Sequence, residues 1–183
     1  MTSAALVASL LLSGCGAPRP KGPEIEVGRP EAKGAEMTLP RLGGGSVSLS
    51  KLRGGPVVIS LFTTWCLRCQ AEAPRLVELH ARHRARGLVV LGVALDVTTI
   101  ELIKTYVEYV GFSFDVLLAR PNDLELVGAL GVTKQVPRTV LLDGQGKIVD
   151  DQLGSTNFDR LRQRIEPLLA AGGRSGRGPP PLR

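Results

Sequence analysis

The feature that most constrains this chain is its alternation of short, continuous apolar runs with stretches of helical period. Val57-Val58-Ile59-Ser60-Leu61-Phe62 is almost wholly apolar, and so is Leu88 to Leu95. Such runs have too few polar positions for a strand with one wet face, so both belong inside a sheet covered on both sides. Between them residues 69–86 read as a helix, kinked at Pro74. Ile100, Ile103, Val107 and Val110 form a second helical stripe; Phe114 to Leu118 is a further strand and 122–130 a short helix ending at Gly131. Thr139 to Leu142 and Lys147 to Val149 flank Asp143-Gly144-Gln145-Gly146, a hairpin signature. Phe158, Leu161, Ile165 and Leu168 give a last helix its apolar side, with strain expected at Pro167 in its final turn. Ahead of these, Met37-Thr38-Leu39 and Val47-Ser48-Leu49 read as short strands around Gly43-Gly44-Gly45. The order implies an α/β fold, a largely parallel sheet covered on both faces and closed by an antiparallel hairpin.

A length of 183 residues with 43% hydrophobic content suits one packed domain with tails. The ends differ from the middle. Residues 4–12 are a short apolar run, below the ~20 residues of a membrane span and suited to the core of a signal peptide. Leu12-Ser13-Gly14-Cys15 follows, although no Lys or Arg precedes the run. This resembles the bacterial lipobox, which implies removal of residues 1–14, lipidation of Cys15 and anchoring to a membrane of the cell envelope through 15–34, a Pro/Gly-rich linker. Gly16, standing where an aspartate would signal retention, favours the outer membrane by the same resemblance. The folded domain is then 35–171, and 172–183 a disordered Gly/Pro/Arg tail. The formal charge of +6 gives no reason to expect nucleic acid as a partner, because Arg174, Arg177 and Arg183 supply half of it from that tail.

The chemistry centres on Trp65-Cys66-Leu67-Arg68-Cys69. The pair follows a buried strand and opens a helix, where unpaired N–H groups and the positive end of the dipole stabilise a thiolate. A thiol so placed drops from about 8.5 into roughly the 3.5–7.5 range. Two intervening residues let the second thiol reach back and close a small disulfide ring. Cys66 is expected to be the exposed nucleophile and Cys69 the more buried resolving thiol. Zinc is a competing reading, but the chain has three cysteines, and its two histidines, His80 and His83, begin about 15 Å along the helix. That His pair is itself a conceivable metal site, with ordinary partly exposed helical histidines as the plainer reading. A purely structural disulfide is the other competitor.

Over roughly 35–171 the sequence resembles the membrane-anchored, thioredoxin-like thiol–disulfide oxidoreductases of the TlpA/ResA type. The resemblance rests on Leu49 to Gly54, Val57 to Ile59, Phe62-Thr63-Thr64-Trp65-Cys66-Leu67-Arg68-Cys69-Gln70-Ala71-Glu72-Ala73-Pro74, Val90 to Asp96, Gly131-Val132, Val136-Pro137 and Leu142 to Gly146. It implies a thioredoxin-like fold, a central mixed sheet flanked by helices with an N-terminal β-hairpin extension. It implies further that Glu72 lies beside the thiols and tunes them, accepting the Cys69 proton. It implies a cis bond before Pro137, with the backbone of Val136 pairing with substrate like an added strand. Trp65 is expected to supply an apolar docking surface. The working group is the Cys66–Cys69 pair itself, with no bound cofactor or metal. Protein disulfides are the implied substrates, apocytochrome c among the clients, and a membrane thiol carrier the electron source; the protein is expected to act as a monomer.

Three positions depart from the family pattern. Ser60 stands where relatives carry Asn or Asp, which leaves more of the proton transfer to Glu72. Arg68 lies between the cysteines and Arg138 follows Pro137; guanidinium groups approaching Cys66 would stabilise its thiolate and make the couple more oxidising. Two other functions are weighed. A peroxiredoxin pattern, Pro-x-x-x-Thr-x-x-Cys, is met by Thr63 and Cys66 but has Ile59 in place of proline. A copper-delivery protein of the Sco type has one more residue between its cysteines.

Overall fold

The structure is a computed structural model that describes residues 37–96, 99–119 and 135–172. The expected leader, Cys15, the linker, the helix at 122–130, the Gly131-Val132 match and the tail after Gly172 lie outside them.

Five strands form the central sheet: β3 (Val57–Phe62), β4 (Val89–Ala94), β5 (Asp115–Leu118), β6 (Arg138–Leu142) and β7 (Ile148–Leu153). Their order across the sheet is β5-β4-β3-β6-β7. β3 runs parallel to β4, and β4 to β5; β6 is antiparallel to both β3 and β7. A separate hairpin of β1 (Thr38–Pro40) and β2 (Ser46–Ser48) precedes them, followed by a 3-10 turn at Leu49–Leu52. The helices are α1 (Leu67–His83), α2 (Ile100–Val110) and α3 (Phe158–Gly172). The architecture is the mixed α/β sheet with an N-terminal hairpin that the sequence led one to expect.

Alternation along the strands sorts the core into two faces. Val57, Ile59 and Leu61 of β3, with Leu91, Val93 and Val140, pack against Leu39, Val47, Leu49 and Leu52 of the hairpin segment. Val58, Val90 and Leu141 point the other way, to Leu76 and Leu79 of α1 and Leu161 and Ile165 of α3. Phe62, Ala94 and Val116 continue that second face toward Ile103 of α2 and the two cysteines. Among the described residues, therefore, the hairpin and not a helix covers the first face.

Several boundaries differ from the sequence expectation, for local reasons. α1 begins at Leu67 because the Cys66 sulfur caps it, accepting the Cys69 N–H. It runs on through Pro74, and α3 through Pro167; both rings stand on exposed sides of their helices, where a carbonyl deprived of its partner can be hydrated. In α3 it is Leu169 that is buried, with Leu168 only partly so, since eleven residues from Phe158 close about three turns. In α2 only Ile103 is buried, and Ile100 stands exposed. β7 reaches Leu153 despite Asp150 and Asp151, because each carboxylate has an arginine partner.

Candidate active site

β3 delivers its C-terminal end to a loop, Thr63–Cys66, which turns into α1. Asp96, just past β4, holds that loop. Its two carboxylate oxygens accept the Thr64 N–H at 3.0 Å each, and one accepts the Thr64 hydroxyl at 2.7 Å. The Gln70 amide of α1 donates to the Thr64 carbonyl at 2.7 Å. The loop is thus tied to the sheet on one side and to the helix on the other, which fixes where Cys66 enters the helix.

Cys66 and Cys69 form a disulfide with their Cα atoms 5.2 Å apart. The Cys66 sulfur accepts the Cys69 N–H at 3.1 Å. This is one of the four N–H groups that an α-helix leaves free at its start, and it favours negative charge on the sulfur. Cys66 keeps 9% of its surface and Cys69 4%. The order matches the expectation of an outer and an inner thiol, but in the disulfide state the outer one is barely open. What is open lies around it: Trp65 is 67% exposed and Leu67 78%. Plain core packing of Trp65 is thereby ruled out. Val136 packs against the cluster that holds both cysteines, and the Val136–Pro137 bond is cis.

Glu72, one turn into the helix from Cys69, is buried and turned to α3's approach loop. Its carboxylate accepts the Thr156 N–H at 2.8 Å and the Thr156 hydroxyl at 2.7 Å. That hydroxyl also bonds Thr139 at 2.8 Å, and Thr139 sits opposite Ser60 across β6 and β3. Glu72 therefore ends a buried run of hydroxyls on the helix side of the sheet.

A family model described as AhpC/TSA family matches residues 30–151. The chain belongs to the AhpC/TSA family. Over 110 residues it is 28% identical to a thiol-disulfide oxidoreductase ResA of Bacillus thuringiensis (strain Al Hakam), an alignment covering 60% of this chain and 61% of that protein. It is also 28% identical over 113 residues to the thiol:disulfide interchange protein HelX of Rhodobacter capsulatus, covering 62% and 60% of the two chains. The chain thus spans about three fifths of the length of these curated relatives. Among solved structures, a thioredoxin-like protein of Neisseria meningitidis superposes with a TM-score of 0.66 at 28% identity, covering 73% of this chain and 87% of that one. A protein named DsbE of Chlorobium tepidum gives 0.64 at 28% identity, over 73% and 92%. The fold is thioredoxin-like.

Within this AhpC/TSA frame the two arginines part company. The Arg138 guanidinium forms a two-pronged pair with Asp151, at 2.8 and 2.6 Å. Both residues belong to the hairpin side of the sheet, Arg138 opposite Leu61 and Asp151 opposite Val140. Its charge is met there by a carboxylate, which corrects the expectation that it approaches Cys66. Arg68 is exposed and makes no ion pair among the described residues. The two histidines diverge. His80 Nδ1 bonds the Ser113 hydroxyl at 2.9 Å, while His83 lies buried beside Glu166. Burial lowers both of their pKa values. Asp96, Thr139 and Thr156 had no assigned role in the sequence reading. Their only signal was polarity within or just beyond strand segments, which resembles any strand end or loop.

Proposed function

We propose that this chain is a thiol–disulfide oxidoreductase of the cell envelope that reduces disulfides in protein substrates, with Cys66 as nucleophile and Cys69 as resolving thiol. The observation that carries this is the Cys66 sulfur seated at the start of α1, accepting a helix N–H and paired with Cys69 beneath an exposed tryptophan. In the reduced protein the Cys66 thiolate attacks a substrate disulfide, forming a mixed disulfide and releasing one substrate thiolate. Cys69 then loses its proton and attacks the Cys66 sulfur, which closes the internal disulfide and releases the second substrate thiol. Two electrons pass from the dithiol to the substrate, and no bound cofactor or metal takes part. The substrate docks between Trp65 and the Val136–Pro137 loop, its backbone alongside Val136. Glu72 serves the Cys69 proton, and of the two arginines only Arg68 remains as a tuning charge. Lipidated Cys15 tethers a monomer to the membrane, a membrane thiol carrier re-reduces it, and apocytochrome c is among its clients.

Equilibration with glutathione and dithiothreitol buffers tests the direction. The expected potential lies near or below that of thioredoxin, about −270 mV, and Cys66→Ser is expected to abolish exchange with a protein disulfide. A potential near about −120 mV would replace reduction by oxidation. No reversible couple at all would remove the function. Consumption of hydrogen peroxide faster than protein disulfide would move the assignment to a peroxidase, the reading that Thr63, three residues before Cys66, leaves open.

A further inference from the structure

Behind Cys69, on the helix side of the sheet, lies a cavity with room for the centre of one water molecule, about 10 Å³. Cys69, Ser60 and Tyr106 line it, with Phe62, Gly92 and Phe112. Two details set this cavity apart from a packing gap. The Tyr106 hydroxyl is fully buried and makes no hydrogen bond among the described residues. A buried donor without a partner is destabilising, and native interiors rarely keep one without use. Second, the floor of the cavity depends on a glycine in the middle of a strand. A Cβ on Gly92 would meet Phe62 Cε1 at 3.1 Å, Val116 Cγ2 at 3.4 Å and Phe114 Cε2 at 3.5 Å. A side chain there would crowd the Phe62 ring, which lines the same space.

We propose that Tyr106, with Ser60 and one water held between them, donates the hydrogen bonds that stabilise the thiolate of Cys69 when the mixed disulfide is resolved. The proposal rests on the oxidoreductase reading and adds a residue to it. In that step the Cys69 S–H ionises, its proton passes by way of Glu72 to the departing substrate sulfur, and the sulfur–sulfur bond forms to Cys66 as the bond from Cys66 to the substrate breaks. The charge left briefly on Cys69 is on the buried thiol, whose own backbone N–H is already given to the Cys66 sulfur. A donor has to meet it from behind. Tyr106 is able to donate there: burial and the Asp96 carboxylate push its phenol upward, so the hydroxyl keeps its proton. The ring itself is held by Phe62 and Phe112, each with its centroid 5.8 Å away.

The test compares Cys66→Ser with Cys66→Ser/Tyr106→Phe and Cys66→Ser/Ser60→Ala in the full chain. The pH dependence of Cys69 alkylation by iodoacetamide is read on the Cys69 peptide, so that Cys15 does not interfere. Tyr106→Phe keeps the ring and loses only the hydroxyl. Its expected effect is a rise of about one unit in the Cys69 pKa, read as a roughly ten-fold slower alkylation at neutral pH with an unchanged limiting rate at high pH. Ser60→Ala is expected to move it the same way by less. A merely structural role would lower the limiting rate or the melting temperature without moving the pH midpoint, and that result overturns the proposal. Superimposed titrations, with the unsubstituted protein still exchanging disulfides, overturn Tyr106 and leave the function standing. An unsubstituted protein that exchanges none overturns the function and this step with it.

Discussion

On the hairpin side of the sheet Val57, Ile59, Leu61, Leu91, Val93 and Val140 bury unbroken hydrocarbon, whereas on the helix side the same strands set Ser60, Gly92 and Thr139 among Val58, Phe62 and Leu141. The hairpin side has β1, β2 and the 3-10 turn for cover; the charge of Arg138, at its site end, is closed off by Asp151. The helix side meets α1 and α3, and there the polar positions line up with Glu72, Thr156 and the cavity behind Cys69. The difference teaches where chemistry can be placed in so small a domain. One face supplies the cohesion, and the other can then carry buried polar groups that each need a partner.

The comparison predicts that substitutions on the two faces fail in different ways. Ile59→Ala, at a position with no exposed surface, is expected to cost about 2–5 kcal/mol of stability while leaving the potential of Cys66–Cys69 unchanged in whatever fraction remains folded. Urea unfolding against redox equilibration separates the two readouts. A shift in potential as large as the loss of stability would erase the distinction between the faces. Asp96→Ala should come next. It strips the Thr64 N–H and hydroxyl of their shared acceptor, for about 2–3 kcal/mol, and it frees the loop that presents Cys66. Its expected signature is therefore a fall in the rate of disulfide exchange beyond anything Ile59→Ala produces at equal folded fraction.

Thr156→Val sharpens the comparison further. It keeps the shape and the N–H bond to Glu72 but removes the hydroxyl that links Glu72 to Thr139. The expected stability loss is about 1–2 kcal/mol. The informative readout is the pH profile of exchange: if the hydroxyl run acts on the thiols through Glu72, its midpoint moves, and a profile that only scales down would confine Thr156 to packing.

Much of this division was legible in the sequence, and its limits have physical causes. Continuous apolar runs marked β3 and β4 because a strand buried on both faces has no wet positions to reveal. The Cys66 and Cys69 pair stood out because a strand-to-helix turn is where a thiol gains from backbone N–H groups. The Thr139–Thr156–Glu72 run was not legible. Its members lie 84 residues apart at the extremes, and hydroxyls pair through space with no period along the chain. Arg138 misled for the same reason. A guanidinium beside Pro137 suggests a partner at the site, yet the strand places it on the other face, where Asp151 one strand over takes it first. Tyr106 gave no signal either, since within an apolar helical stripe a tyrosine reads as one more ring.

The smallest effect lies at the far end of the helix side, where α1 leaves the site. His83 is buried against α3 with its Nε2 lacking a hydrogen-bond partner among the described residues, while Glu166 and Arg86 face its other nitrogen. Arg82 and Arg162 add like charge nearby. Burial outweighs the Glu166 carboxylate, so the folded pKa lies below the ordinary 6.5. The unfolded chain then binds more protons than the folded one just below that pH, so stability rises with pH there. His80, lowered by its own burial and by Arg84, contributes with the same sign. The urea midpoint should be level above pH 6.5, decline as the pH drops through that value, and decline less in His83→Gln. Because neither imidazole bonds the Thr64–Cys66 loop, the potential extrapolated to a fixed pH should be the same in His83→Gln as in the parent. A change there would mean that the far end of α1 reports to its N-terminus, and that the helix side acts as one unit instead of a site resting on separate packing.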